Sequence, residues 1–149
     1  MLENKDHHYM QEALEEAKKA AALGEVPIGA VIVYKDEIIA RAHNLRETTQ
    51  NALTHAESMA IQEACSKIGS WRLEETTMYV TLEPCPMCGW AILQSRIKSV
   101  YFGSYDTNYG AFTSKIDLRH ISTSKPNVYG GIMEEECDEL LTSFFKKIR

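Results

Sequence analysis

Two short stretches combine residue types that do chemistry: His55-Ala56-Glu57 and Pro84-Cys85-Pro86-Met87-Cys88. An imidazole nitrogen and two thiolates are good zinc ligands, and three protein ligands leave a fourth tetrahedral position open to water, as in a catalytic site. Zn2+ with two thiolates and a neutral imidazole is formally neutral, so such a metal acidifies its water without a surplus anion. Glu57 stands two residues past a ligand. There it can face the water without ligating, take its proton, and deliver it to a ring nitrogen and then to a leaving amine. That combination suits hydrolytic deamination of a heteroaromatic amidine carbon. Each piece alone has a plainer reading: an H-x-E is commonly a surface helix start, and a C-x-x-C serves as a redox dithiol or as half of a zinc knuckle. A thioredoxin-like dithiol needs no H-x-E, and a structural zinc site needs no carboxylate beside an open position.

These residues must be positioned by elements the sequence also marks. Met10, Ala13, Leu14, Ala17, Ala20 and Ala21 recur at helical steps and predict a helix over Asp6 to Leu23, stopped by Gly24. The β-branched runs Ile28 to Tyr34 and Glu37 to Ala42 flank Lys35-Asp36 and read as an antiparallel hairpin. Leu45 to Asn51 is polar and reads as a loop. A helix is expected from near His55 to Ile68, with Met59, Ala60, Ala64 and Ile68 inward. Thr77 to Leu82 and Lys98 to Gly103 read as strands, and Pro86 suits the first turn of a helix running to Ser95. Ser104 to Ser114 reads as a loop over something, Lys115 to His120 as a short helical segment, and Asn127 to Gly131 as a last short strand. Cys137, Leu140, Leu141, Phe144, Phe145 and Ile148 outline a terminal amphipathic helix. Both motifs fall at helix starts, where free N–H groups and the positive dipole end favour thiolate over thiol. The alternation predicts a sheet with helices on both faces and a site at strand ends.

At 149 residues, 44% apolar and 25% charged, with 4 prolines and 8 glycines, the sequence has the make-up of one compact domain over 1–149. Lys plus Arg is 16 against 21 for Asp plus Glu, a net charge of -5, which argues against gripping nucleic acid through general basicity. The start MLENKDHHYM has neither a basic n-region nor an apolar h-region, and no apolar run is long enough to span a bilayer. A soluble, cytoplasmic protein is expected. Cys65 and Cys137 lie inside helical patterns and read as free buried thiols, while His7, His8 and His120 read as surface histidines. The acidic run Glu134 to Glu139 reads as a solvated helix start.

H-x-E followed by P-C-x-x-C is the known signature of zinc nucleobase deaminases. Glu25-Val26-Pro27-Ile28-Gly29-Ala30-Val31, His43-Asn44, Tyr79 to Cys85, Ser95-Arg96-Ile97 and Phe144-Phe145 resemble the bacterial tRNA adenosine deaminase family in order and spacing, over nearly the full length. The resemblance implies a three-layer α/β/α cytidine-deaminase-like fold with a mixed, about five-stranded sheet. It also implies one Zn2+ held by His55, Cys85 and Cys88, Glu57 as proton shuttle, and Asn44, Asp106 and the backbone near Ala56 and Pro84 at the substrate. The implied reaction is adenosine to inosine at the wobble position of a tRNA anticodon loop.

The sequence departs from that family where RNA would be held. The loop after the fourth strand keeps Asp106, Gly110, Ala111 and Ser114 but lacks the usual lysine and a further glycine, and Trp90 replaces a small residue. An Asn-His-Arg stretch before the last strand gives way to Thr123-Ser124-Lys125. Lys115, Arg119, Lys125, Lys146, Lys147 and Arg149 are candidate phosphate contacts, and Tyr105, Tyr109 and Phe112 candidate stacking groups. Two alternatives stay open: the same chemistry on free guanine, cytosine or adenosine, with Trp90 and the altered loop closing a smaller pocket, and a non-catalytic zinc-stabilised binding module. Met87, Trp90, Ala91, Ile92 and Leu93 make the helix from Pro86 apolar around much of its circumference. Together with the resemblance, this predicts a homodimer whose partner chain helps to form the pocket rim.

Overall fold

A computed structural model describes residues 4–148. Its centre is a five-stranded mixed sheet in the order β2-β1-β3-β4-β5. Strands β1 (Gly29–Tyr34) and β2 (Glu37–His43) form the expected antiparallel hairpin. They turn on Lys35 and Asp36, whose φ angles of 50° and 63° belong to the tight left-handed turn that suits the twist of a two-residue hairpin. β1 also runs antiparallel to β3 (Thr77–Leu82), which pairs in parallel with β4 (Ser99–Ser104). The three-residue β5 (Asn127–Tyr129) adds in parallel to β4.

Alternation along the strands sorts side chains into two cores. Ala30, Ile32, Met78, Val80, Val100 and Phe102 pack with residues of α3 (Ala56–Ile68) and α4 (Pro86–Gln94). Val31, Val33 and Tyr79 pack on the other face with α1 (Lys5–Ala22) and α5 (Glu134–Lys147). The result is the expected α/β/α arrangement. Asn4 caps α1 by accepting from the N–H groups of Asp6 and His7. The helix then lies so close over β1 that a Cβ on Gly29 would strike the Ala13 carbonyl.

Several local expectations change. Leu45 to Asn51 is not all loop, since Arg46–Thr49 forms one helical turn, α2. The buried row of α3 is Ala56, Ala60 and Ala64, with Ile61, Cys65 and Ile68 at its margins; Met59 is only half-buried and joins neither core. With His55 as cap, the row of four-residue steps starts at Ala56, which shifts the inward face. The short helical segment is a 3-10 turn, Leu118–Ile121, capped by Asp117. Phe112, expected to stack, is 1% exposed and belongs to the core. Only Cys137 of α5 is fully buried, because the later apolar residues of that helix wall a cavity instead. Among the described residues no helix is long and apolar enough to cross a membrane.

Candidate active site

His55 is the N-cap residue of α3 and Cys85 that of α4, while Cys88 lies in the first turn of α4. Neither cap makes the usual side-chain bond to its own helix. Both side chains turn toward each other instead, with His55 Nδ1 3.7 Å from Cys85 Sγ and 3.5 Å from Cys88 Sγ. A tetrahedral zinc with its usual bond lengths holds nitrogen and sulfur about 3.6 Å apart, so this trio fits the ion. Among the described residues it is the group whose ligand atoms, all within 4.8 Å of one another, could hold a metal.

Glu57 lies one step into α3 and is 4% exposed. Burial pushes its carboxyl up to about 7; its own N–H opposes this, the Cys85 sulfur adds to it, and His55 opposes it. Cys85 is pulled down to about 4, chiefly by the hydrogen bond from Cys88, against burial and with help from His55. Cys88, the donor of that bond, is pushed up. A buried carboxyl thus stands beside two sulfurs whose proton affinities are pushed in opposite directions.

A cavity of about 620 Å³ opens over His55, within the range of small-molecule sites. Asn44, Leu82, Tyr105 to Tyr109, Leu141, Phe144 and Phe145 of α5, and Ile148 just past its end contribute to its walls. The Asn44 amide makes only long bonds, 3.5 Å to the Val26 carbonyl and 3.4 Å from the Arg46 N–H, which leaves it able to meet a ligand. Asp106 lines the wall, with one carboxylate oxygen accepting from the N–H groups of Asn108 and Tyr109 at 3.0 Å each. Ala56 and Pro84 are buried at the two helix starts, and the Pro84 carbonyl accepts from the Ala111 N–H.

The basic candidates separate. Lys146 and Lys147 are exposed on the last turn of α5, beside the cavity-lining Phe144 and Phe145. Lys115 is exposed just past the loop, its N–H bonded to the Gly110 carbonyl. The Arg119 guanidinium is gripped by Asp117 at 2.8 to 2.9 Å. Lys125 is not brought to the cavity. β5 runs parallel to β4, so the residues before Asn127 sit beside Lys98 where the strands begin, whereas the site lies where they end. Trp90 stands 38% exposed on α4 and does not line this cavity. Arg149 lies outside the described residues.

Residues 4–149 match the family described as MafB19-like deaminase. Over 146 residues the chain is 51% identical to the tRNA-specific adenosine deaminase of Bacillus subtilis (strain 168), covering 97% of this chain and 91% of that protein. The chain belongs to the tRNA-specific adenosine deaminase family. The member from Aquifex aeolicus (strain VF5) is 43% identical, with 95% of each chain covered. A solved structure from studies of A-to-I editing by tRNA:A34 deaminases superposes with a TM-score of 0.87 at 40% identity, covering 90% of this chain and 99% of the other. A guanine deaminase from Nitrosomonas europaea, at 18% identity and a TM-score of 0.80 over 93% of this chain and 83% of its own, shares the fold. Family membership implies a metal, and His55, Cys85 and Cys88 are the group that could hold it.

The stretches that carry the family resemblance also contain two residues that sequence reasoning passed over. Glu25 and Glu83 are each 1% exposed. Glu25 accepts from the N–H groups of Glu47 and Thr48 at 3.1 and 2.5 Å and from the Thr48 hydroxyl at 2.6 Å, capping α2 from a distant segment. Glu83 accepts from the N–H groups of Asp106, Phe112, Thr113 and Ser114 at 2.8 to 3.3 Å and from the Ser114 hydroxyl. Burial would raise the Glu83 carboxyl, but the Ser114, Thr113 and Asp106 donors outweigh it and hold it below its ordinary value. The available signal was a glutamate directly after an apolar strand and before the proline of a ligand-bearing turn.

Proposed function

We propose that this chain is a zinc-dependent hydrolytic deaminase that converts adenosine to inosine at the wobble position of tRNA. The carrying observation is Glu57 buried beside a three-ligand group whose His55 lines a cavity, in a chain 51% identical to a tRNA-specific adenosine deaminase. His55, Cys85 and Cys88 would hold the zinc, which when bound supplies a Lewis acid and acidifies water. Glu57 takes one proton from the attacking water and gives it to a purine ring nitrogen, then carries the second proton, from the added hydroxyl, to the amino group, which departs as ammonia. Asn44 meets the base edge, and the buried backbone near Ala56 and Pro84 shapes the floor. Asp106 and the exposed rings of Tyr105 and Tyr109 form the mouth, where a splayed anticodon loop can stack. Lys146 and Lys147, with Lys115 further out, meet phosphates. Such a substrate places the work in the cytoplasm.

The test compares ammonia release and inosine formation on an anticodon stem-loop with release from free guanine, cytosine and adenosine. Inosine in the stem-loop is the expected result. Turnover of a free base with none on the stem-loop would overturn the tRNA reading and leave the deaminase reading standing. The protein is also read as a homodimer, supported by Met87 and Trp90 of α4 at 37% and 38% exposure and by Ile116 and Ile121 further along the chain at 48% and 72%. Light scattering at micromolar concentration should give twice the chain mass; a monomer removes the dimer.

A further inference from the structure

Resting on the proposed function, we propose that Glu83 is a positioning residue: its buried carboxylate gathers the 106–114 segment onto the end of β3 and thereby sets where the cavity wall at Asp106 to Tyr109 stands. This segment belongs to no helix or strand, and a loop that dips into a core must find acceptors for its N–H groups elsewhere. Phe112 drives that dip, its ring fully inside the core. Four N–H groups and one hydroxyl of the segment converge on the single Glu83 carboxylate. Bonds to a charged acceptor are the strong ones. Neighbouring backbone adds to the staple, with the Glu83 N–H on the Ser104 carbonyl and the Ala111 N–H on the Pro84 carbonyl.

The donors bracket the wall. Asp106 is held at one end and 112–114 at the other, while the Gly110 N–H closes back on the Asp106 carbonyl at 2.8 Å. Gly110 sits against the carboxylate so closely that a Cβ there would overlap it, which requires glycine at that point. The residues this loop keeps in its resemblance to the family, Asp106, Gly110, Ala111 and Ser114, each touch or closely approach Glu83 or Pro84, as Phe112 and Thr113 also do. Glu83 itself does not line the cavity. It acts through the wall, and because it directly precedes Pro84 and Cys85 it ties that wall to the strand end that carries a metal-ligand candidate.

The test uses Ser114→Ala, which removes one donor and keeps the carboxylate, with Ser114→Thr as the conservative rescue and Glu83→Gln as the stronger variant. Ser114→Ala should raise KM for the anticodon stem-loop about three- to tenfold, the worth of one hydrogen bond. Its kcat should stay within about twofold and its zinc content should match that of the unaltered protein. Amide exchange at 106–114 should quicken while strand amides keep their protection. Ser114→Thr should restore both readouts, and Glu83→Gln should exceed Ser114→Ala in both. The proposal is overturned if exchange quickens with KM unmoved, if exchange is unchanged, or if zinc and kcat fall together while KM holds. Should the unaltered protein convert a free base and not the stem-loop, the tRNA reading fails; the same KM comparison on that base then judges Glu83 separately.

Discussion

The proton-shuttle role proposed for the buried Glu57 carboxyl and the metal-holding role proposed for the two sulfurs beside it can be pulled apart by substitution. Cys85→Ala or Cys88→Ala should empty the metal site, read as loss of the roughly one zinc per chain expected of a three-ligand catalytic centre. Glu57→Gln should retain the zinc and lose turnover by about a hundredfold or more, the usual worth of a positioned proton carrier. A Glu57→Gln protein with normal rates would remove the proton-shuttle role. His55, Glu57, Cys85 and Cys88 were legible in the sequence because their chemistry resides in residue type and short spacing. Glu83 was not, because its partners lie 23 to 31 residues away. Phe112 misled for a related reason: whether an aromatic ring stacks on a ligand or fills a core is decided by which way the loop folds back.

At the scale of elements, α1 and β2 are joined by one node. Glu16, 3% exposed, accepts from Lys19 Nζ and Arg41 Nε at 2.8 Å each and pairs with His43 Nδ1 at 2.9 Å. His43 directly precedes Asn44, so the node anchors the strand end that carries this proposed base contact. Burial would raise the Glu16 carboxyl, yet Lys19, His43 and Arg41 hold it down to about 2 from an ordinary 4.5. A depressed carboxylate contributes stability above its unfolded value and loses it as the folded form takes up a proton. Thermal unfolding temperature should therefore fall as pH drops from about 4.5 toward about 2, and Glu16→Gln should flatten the fall in that window. Equal slopes for both proteins would show that the node contributes nothing there. The hairpin and the start of α4 were readable because a two-residue turn and a first-turn proline are local signals. α2 was not, since its cap comes from Glu25, outside the segment.

For the whole molecule, a net charge of -5 means that any hold on RNA must come from a local patch rather than from overall attraction. Affinity for the stem-loop should weaken with added salt, and Lys146→Ala with Lys147→Ala should reduce the slope of log affinity against log salt by about 0.7 for each phosphate left without its lysine. Lys125→Ala should leave both affinity and slope alone. A weaker complex with Lys125→Ala and none with the α5 pair would relocate the RNA to the other end of the sheet. Sequence alternation announced helices on both faces, but the antiparallel pairing of β1 with β3 and the parallel addition of β5 are matters of long-range register, and Lys125 could not be placed without them. The division into two ends has a practical corollary. The Lys35-Asp36 turn, the stretch from Gly69 to Trp71 and the residues before β5 all lie where the parallel strands begin, away from the cavity. Ser70 is exposed there, just past the left-handed Gly69 that ends α3, so a reporter, a tether or an inserted domain grafted at that corner would ride on the enzyme without standing in the path of its substrate.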